Sequence, residues 1–173
     1  MKRAGIAGIF WLAVAMACAQ THPAGQAAAA ERGTCAAEDP GRVAQQVIAA
    51  WIAGYNGRDA GRVAALYAPD AYYLTQHYVT GIVHGRADIQ AYLQRGVDAG
   101  YHIDAIRIVH VACAADMMYA ITRYESTNAG QKARGVNLVV LRRGRTGWRI
   151  VAHEAAVPDP ATAVQQLGAP AQR

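Results

Sequence analysis

The chain has 173 residues, 53% of them apolar and 17% charged, with a formal net charge of +5. That length suits one domain able to bury a core once a leader is removed, and the composition excludes a disordered chain and a multi-span membrane protein. The charge does not indicate a nucleic-acid partner: Lys2 and Arg3 belong to the leader, Arg142, Arg143, Arg145 and Arg149 gather at one expected hairpin, and no interleaved aromatics or basic groove helix accompany them.

Residues 1–19 open on Lys2 and Arg3, continue with an apolar run from about Ile6 to Ala17 and close on small residues. This is the pattern of a secretory signal peptide, too short for a permanent span, and it predicts a periplasmic or secreted protein. Cleavage after Ala19 obeys the small-x-small rule through Ala17. A rival cleavage makes Cys18 the first mature residue and a lipid anchor, although Ala15 and Met16 are unusual before such a site. Residues 20–39 are Ala-rich with scattered Gly, Pro and Thr, the composition of a flexible linker. Cys35 and Cys113 are left in the body of the chain. In an oxidising compartment they are a candidate disulfide; the alternative is a buried, apolar Cys113 and a free Cys35 thiol.

Val47, Ile48, Trp51 and Ile52 recur at helical spacing up to the turn-forming Tyr55-Asn56-Gly57. Asp59 can cap a second, short helix with Val63, Leu66 and Tyr67 on one face, stopped by Pro69-Asp70. A strand over 71–77 sends Tyr73, Thr75 and His77 to one side and Tyr72, Leu74 and Gln76 to the other. Gly81 and Gly85 bracket a second, shorter strand, and 87–97 reads as a helix with Ile89, Tyr92, Leu93 and Val97 on one stripe. Segments 102–113, 117–126, 132–143 and 148–157 form an antiparallel meander whose last turn is the basic tip 143–147, a solvated edge or one facing anionic lipids. Both faces of 136–141 are apolar, so the sheet either meets a partner subunit or curls. Residues 159–173 are rich in Ala, Pro and Gln and read as a disordered tail.

Three stretches occur in order: G-x-D-x-x-x-x-x-x-L-Y-A-x-D-A from Gly57 to Ala71, H-G-R-x-x-I-x-x-Y from His84 to Tyr92, and G-W-R-I-V-A-H from Gly147 to His153. Together they resemble the nuclear-transport-factor-2-like superfamily, in particular its SnoaL-like and ketosteroid-isomerase-like branch, over roughly residues 42–158. The resemblance implies an α+β domain over 40–158. A cone-shaped, curved antiparallel sheet would pack on three N-terminal helices and leave an apolar pocket open at one end. Strand parity then assigns the lining to Tyr73 and Thr75, to Met118, Ala120, Thr122 and Tyr124, to Asn137, Val139 and Leu141, and to Val151, His153, Ala155 and Val157. Trp51 and Tyr55 would close the pocket from the first helix, and a one-residue bulge would turn any of these strand sets outward.

Ketosteroid isomerases use a carboxylate base with a tyrosine and a protonated acid as oxyanion hole. The resemblance puts those positions at Thr75, Trp51 and about Val139, none of which can do that work. His153 remains as the candidate acid or base, oriented by Tyr73, Tyr124 or Asn137, and the competing reading is a core-edge histidine bonded to a tyrosine. His102, Asp104 and His110 lack a second ligand cluster, Ser126 and the cysteines lack an adjacent base, and no Gly-rich phosphate loop occurs, so neither metal nor cofactor is expected. Three functions follow as expectations. The first is an exported homodimer that binds a small apolar or aromatic molecule. The second is a SnoaL-like isomerase, cyclase or hydratase, and the third a non-catalytic assembly or envelope-interaction module.

Overall fold

The computed structural model describes Cys35 and residues 38–156. The signal peptide, Cys18, most of the 20–39 linker, Val157 and the 159–173 tail lie outside the described residues.

Helix α1 spans Pro40–Asn56; the Asp39 carboxylate accepts from the Gly41 N–H at 2.9 Å, and proline occupies the first turn, where it has no bond to lose. Its buried face carries Val43, Ala44, Ile48, Trp51 and Tyr55. At its end the Asn56 amide clips onto the Ile103 backbone, donating to the carbonyl at 2.8 Å and accepting from the N–H at 2.9 Å. Helix α2, Ala60–Ala64, is capped as expected, with the Asp59 carboxylate accepting from Arg62 N–H at 2.8 Å.

Beyond α2 the structure departs from the sequence reading. Strand β1 runs Tyr67–Thr75, so Tyr67 is a strand residue and no part of the helix. Pro69 pushes Ala68, the residue before it, out of the α region, which suits the strand that runs through it. The Tyr67 carbonyl is held instead by the Arg86 guanidinium, with Nε at 2.9 Å and an Nη at 2.5 Å. Pro69 and Asp70, expected as a turn, form an exposed irregularity inside the strand, between the pairs Tyr67↔Ile150 and Tyr72↔Ala152. Strand β2 (Ile82–His84), helix α3 (Arg86–Asp98) and strands β3 (His102–Ala114), β4 (Met117–Asn128), β5 (Gln131–Gly144) and β6 (Gly147–Ala156) complete the order.

The six-stranded sheet has the order β2-β1-β6-β5-β4-β3. Most neighbours are antiparallel, as expected, but β1 and β6 pair in parallel, which makes the curved sheet mixed. This parallel pair places Tyr73 directly beside His153. Register shifts in β3 between Ile103 and Ala105 and between Ile108 and His110 bend that strand, as bulges do. A further shift opposite Val140/Leu141 brings both Ile150 and His153 to the inner face, although they are three residues apart. Val151, assigned inward by parity, is consequently only half-buried.

The last residues before α1 are tied to the sheet. Cys35 and Cys113 form a disulfide with Cα atoms 6.0 Å apart. Glu38 pairs with Arg143 at 2.7 Å and accepts from Trp148 Nε1–H at 3.2 Å. On the convex face, Tyr119, Ile121, Val136 and Leu138 are exposed.

Candidate functional site

Between the concave face of the sheet and helices α1 and α3 lies a cavity of about 440 Å³, within the size range of small-molecule sites. Helix α1 contributes Trp51 and Tyr55, whose rings stack with centroids 5.0 Å apart. From β1 come Tyr73 and Thr75, from β4 Tyr124 and Ser126, from β5 Asn137, and from β6 His153 and Ala155. Helix α3 adds Tyr92, Leu93, Arg95 and Gly96, and β3 adds Ile103 and Ile106.

The structure thus brings Trp51, Tyr55, Tyr73, Thr75, Tyr124, Asn137 and His153 together around one space. Met118, Thr122 and Val139 are buried but do not line it. Parity selects a face of the sheet, not a depth along it, and where these three lie the concave face packs solid. Thr122 accepts there from Asn137 Nδ2 at 3.2 Å.

The buried end of the cavity is organised by a residue the sequence reading left in a helix. Tyr67 is completely buried, and its hydroxyl lies 2.7 Å from His153 Nδ1 and 3.1 Å from Trp51 Nε1. An indole N–H can only donate, so the Tyr67 oxygen accepts from Trp51 and its own proton is free to go to His153 Nδ1. With Nδ1 accepting, the proton of the neutral imidazole sits on Nε2. That Nε2 is buried and, among the described residues, the one side-chain N or O atom so placed without a hydrogen-bond partner. Trp51, Tyr67 and His153 therefore form a directed chain that ends in an unspent N–H donor. The His153 ring is fixed by Tyr73, 4.6 Å away, and by the edge of Trp51 at 6.1 Å.

Burial lowers the His153 pKa from 6.5 to about 3, because a charged imidazolium would have no solvent there. Burial likewise raises Tyr55 to about 12 and pushes Tyr67, Tyr73 and Tyr124 up. No Asp or Glu lines the cavity. The lining thus carries no carboxylate, Arg95 is its arginine, and the buried end offers a hydrogen bond to an acceptor and no base. Among the described residues, no group of three or more His, Cys, Asp or Glu could hold a metal ion.

Residues 48–153 match the model of the SnoaL-like domain, more than half of the chain. The chain belongs to the SnoaL-like domain family. No curated protein matches it in sequence. An NTF2-like protein with a cystatin-like fold from Novosphingobium aromaticivorans is 21% identical, with TM-score 0.60 and coverage of 75% of this chain and 89% of that one. A ketosteroid isomerase-like protein from Erwinia carotovora atroseptica is also 21% identical, with TM-score 0.58 and coverage of 67% and 94%. An NTF2-like protein from Pseudomonas putida is 18% identical, with TM-score 0.60 and coverage of 71% and 89%. At these identities the likeness establishes the fold: an α+β, NTF2-like cone.

In this SnoaL-like domain the three positions compared with ketosteroid isomerase are occupied otherwise. Thr75 accepts from Tyr92 Oη at 3.3 Å, Trp51 donates to Tyr67, and Val139 is a core residue. Tyr67, Tyr92, Arg95 and Gly96 are among the lining and support residues that sequence reasoning missed. The L-Y-A stretch did flag Tyr67, but its helical spacing to Val63 hid its strand character.

Proposed function

We propose that this SnoaL-like domain is an exported binding protein for a small, largely apolar or aromatic molecule that carries an uncharged oxygen acceptor. The observation carrying this reading is the unpartnered His153 Nε2–H at the buried end of an aromatic cavity. A buried donor left without a partner costs about 1–3 kcal/mol, and a ligand carbonyl or ether oxygen there would recover it. Export is supported by the leader pattern and by the Cys35–Cys113 disulfide, a bond that persists in oxidising compartments. Homodimerisation is supported by the exposed apolar residues on the convex face.

Binding is favoured over catalysis by the same geometry. A neutral histidine with its free N–H forward can polarise a carbonyl, but proton abstraction needs a base, and the buried walls hold tyrosines whose pKa is raised. The test is a thermal-shift series with aryl ketones and their methylene analogues. Ketones should raise the melting temperature more, and His153→Phe should abolish the difference. Should no member of the series shift the melting temperature, the domain would revert to an assembly module. Sedimentation tests the dimer, and mass spectrometry of the mature N-terminus distinguishes cleavage after Ala19 from acylation at Cys18.

A further inference from the structure

The cavity has a second polar feature, on an exposed residue of its lining. Arg95 on α3 lines the mouth and is exposed, and its guanidinium carbon lies 5.3 Å from the Tyr78 ring centre and 5.6 Å from that of Tyr92. Two aromatic faces thus hold the guanidinium in place by cation–π attraction. Among the described residues no carboxylate pairs with it. The acid one turn further along the helix, Asp98, accepts instead from Gln94 at 2.8 Å. The lining, as noted, contains no Asp or Glu. An unpaired, pre-positioned guanidinium at the rim of a low-dielectric, acid-free hollow attracts an anion, and its planar fork suits a carboxylate.

Resting on the ligand-binding reading above, we propose that the molecule is an amphipathic oxo-carboxylate. Its apolar or aromatic body lies against the tyrosine walls, its neutral oxygen accepts from His153 Nε2–H at the buried end, and its carboxylate meets Arg95 at the mouth. The two polar groups read opposite ends of one ligand. The domain therefore selects for the distance between oxo group and carboxylate as well as for apolar bulk. A fully neutral molecule of the same shape would leave the guanidinium unanswered, and a short anion would leave His153 unanswered.

Isothermal titration of the full mature chain with benzoylpropionate, benzoylbutyrate and benzoylvalerate, and with the methyl ester of each, tests this. The expected result is one preferred spacer whose acid binds at least about tenfold tighter than its ester, weakening as salt is raised. Arg95→Gln should bring the affinity for each acid down to that for its ester, and Arg95→Lys should keep most of the preference. Esters binding as tightly as acids, or an acid preference that survives Arg95→Gln, would overturn the carboxylate assignment and leave the pocket reading standing. Failure of every acid and every ester to bind overturns both.

Discussion

The Tyr67 hydroxyl sits 2.7 Å from His153 Nδ1, across 86 residues of sequence, and also takes the Trp51 indole N–H. One phenol oxygen therefore satisfies two buried groups and decides which nitrogen of the histidine carries the proton.

Tyr67→Phe should strand both groups. Each buried polar group left unpaired costs about 1–3 kcal/mol, so urea denaturation should show a loss on the order of 2–4 kcal/mol with little change in slope. Ketone affinity should fall as well, because the imidazole is free to present its other tautomer. A variant as stable as the parent would mean the hydrogen-bonded chain contributes nothing.

The lowered pKa of His153 predicts an acid-sensitive fold. The unfolded chain takes up this proton near 6.5, whereas the folded chain resists until about 3. Stability from this residue is therefore complete above about pH 6.5, is lost progressively as pH falls, and by about pH 4.5 has declined on the order of 2–3 kcal/mol. His153→Phe should show a flatter pH profile over that window, measured by urea midpoints at matched ionic strength. Nitrogen chemical shifts of His153 should still report a neutral ring at about pH 5.

Gly96→Ala should damage the pocket although alanine favours helices. A Cβ at Gly96 would run into the Tyr55 hydroxyl. Overpacking of this kind costs about 1–3 kcal/mol, which exceeds the gain of at most about 1 kcal/mol in helix propensity. Combining it with Tyr55→Phe, which removes the colliding atom, should restore much of the stability. A simple sum of the two single effects would show that the collision is relieved elsewhere.

Reduction of Cys35–Cys113 should cost about 2–4 kcal/mol, and Cys35→Ser with Cys113→Ser should lower the melting temperature by a matching amount without altering the ketone series. The bond ties the segment before α1 to the end of β3, away from the cavity lining. A melting curve unchanged by reductant in the parent chain would count against its forming in solution.

Convex-face substitutions report on assembly. Ile121→Lys and Leu138→Glu introduce charge on exposed strand positions and should leave monomer stability within about 0.5 kcal/mol. If the apolar face pairs two copies, the same changes should shift the sedimentation coefficient to that of the monomer; a parent that already sediments as a monomer would end the dimer reading.

Much of this protein was readable from residue order. Helical spacing in 47–52 and two-residue alternation in 71–77 are local properties of the backbone, so α1 and the shared face of Tyr73 and Thr75 followed without a structure. The motifs around Asp59, His84-Gly85-Arg86 and Gly147–His153 carried the family, because caps and tight turns demand particular residue types. Tertiary structure alone decided the rest. Tyr67 left the expected helix once Arg86 took its carbonyl and the chain paired in parallel with β6, a contact between distant segments that no local pattern encodes. A bulge in β6 set Ile150 and His153 on one face, and the depth of packing separated Asn137 and Tyr124, which meet the cavity, from Met118, Thr122 and Val139, which do not. Periodicity says which side of an element is buried; only the packed fold says what that side is buried against, and it is there that Tyr67 met His153 and fixed its tautomer.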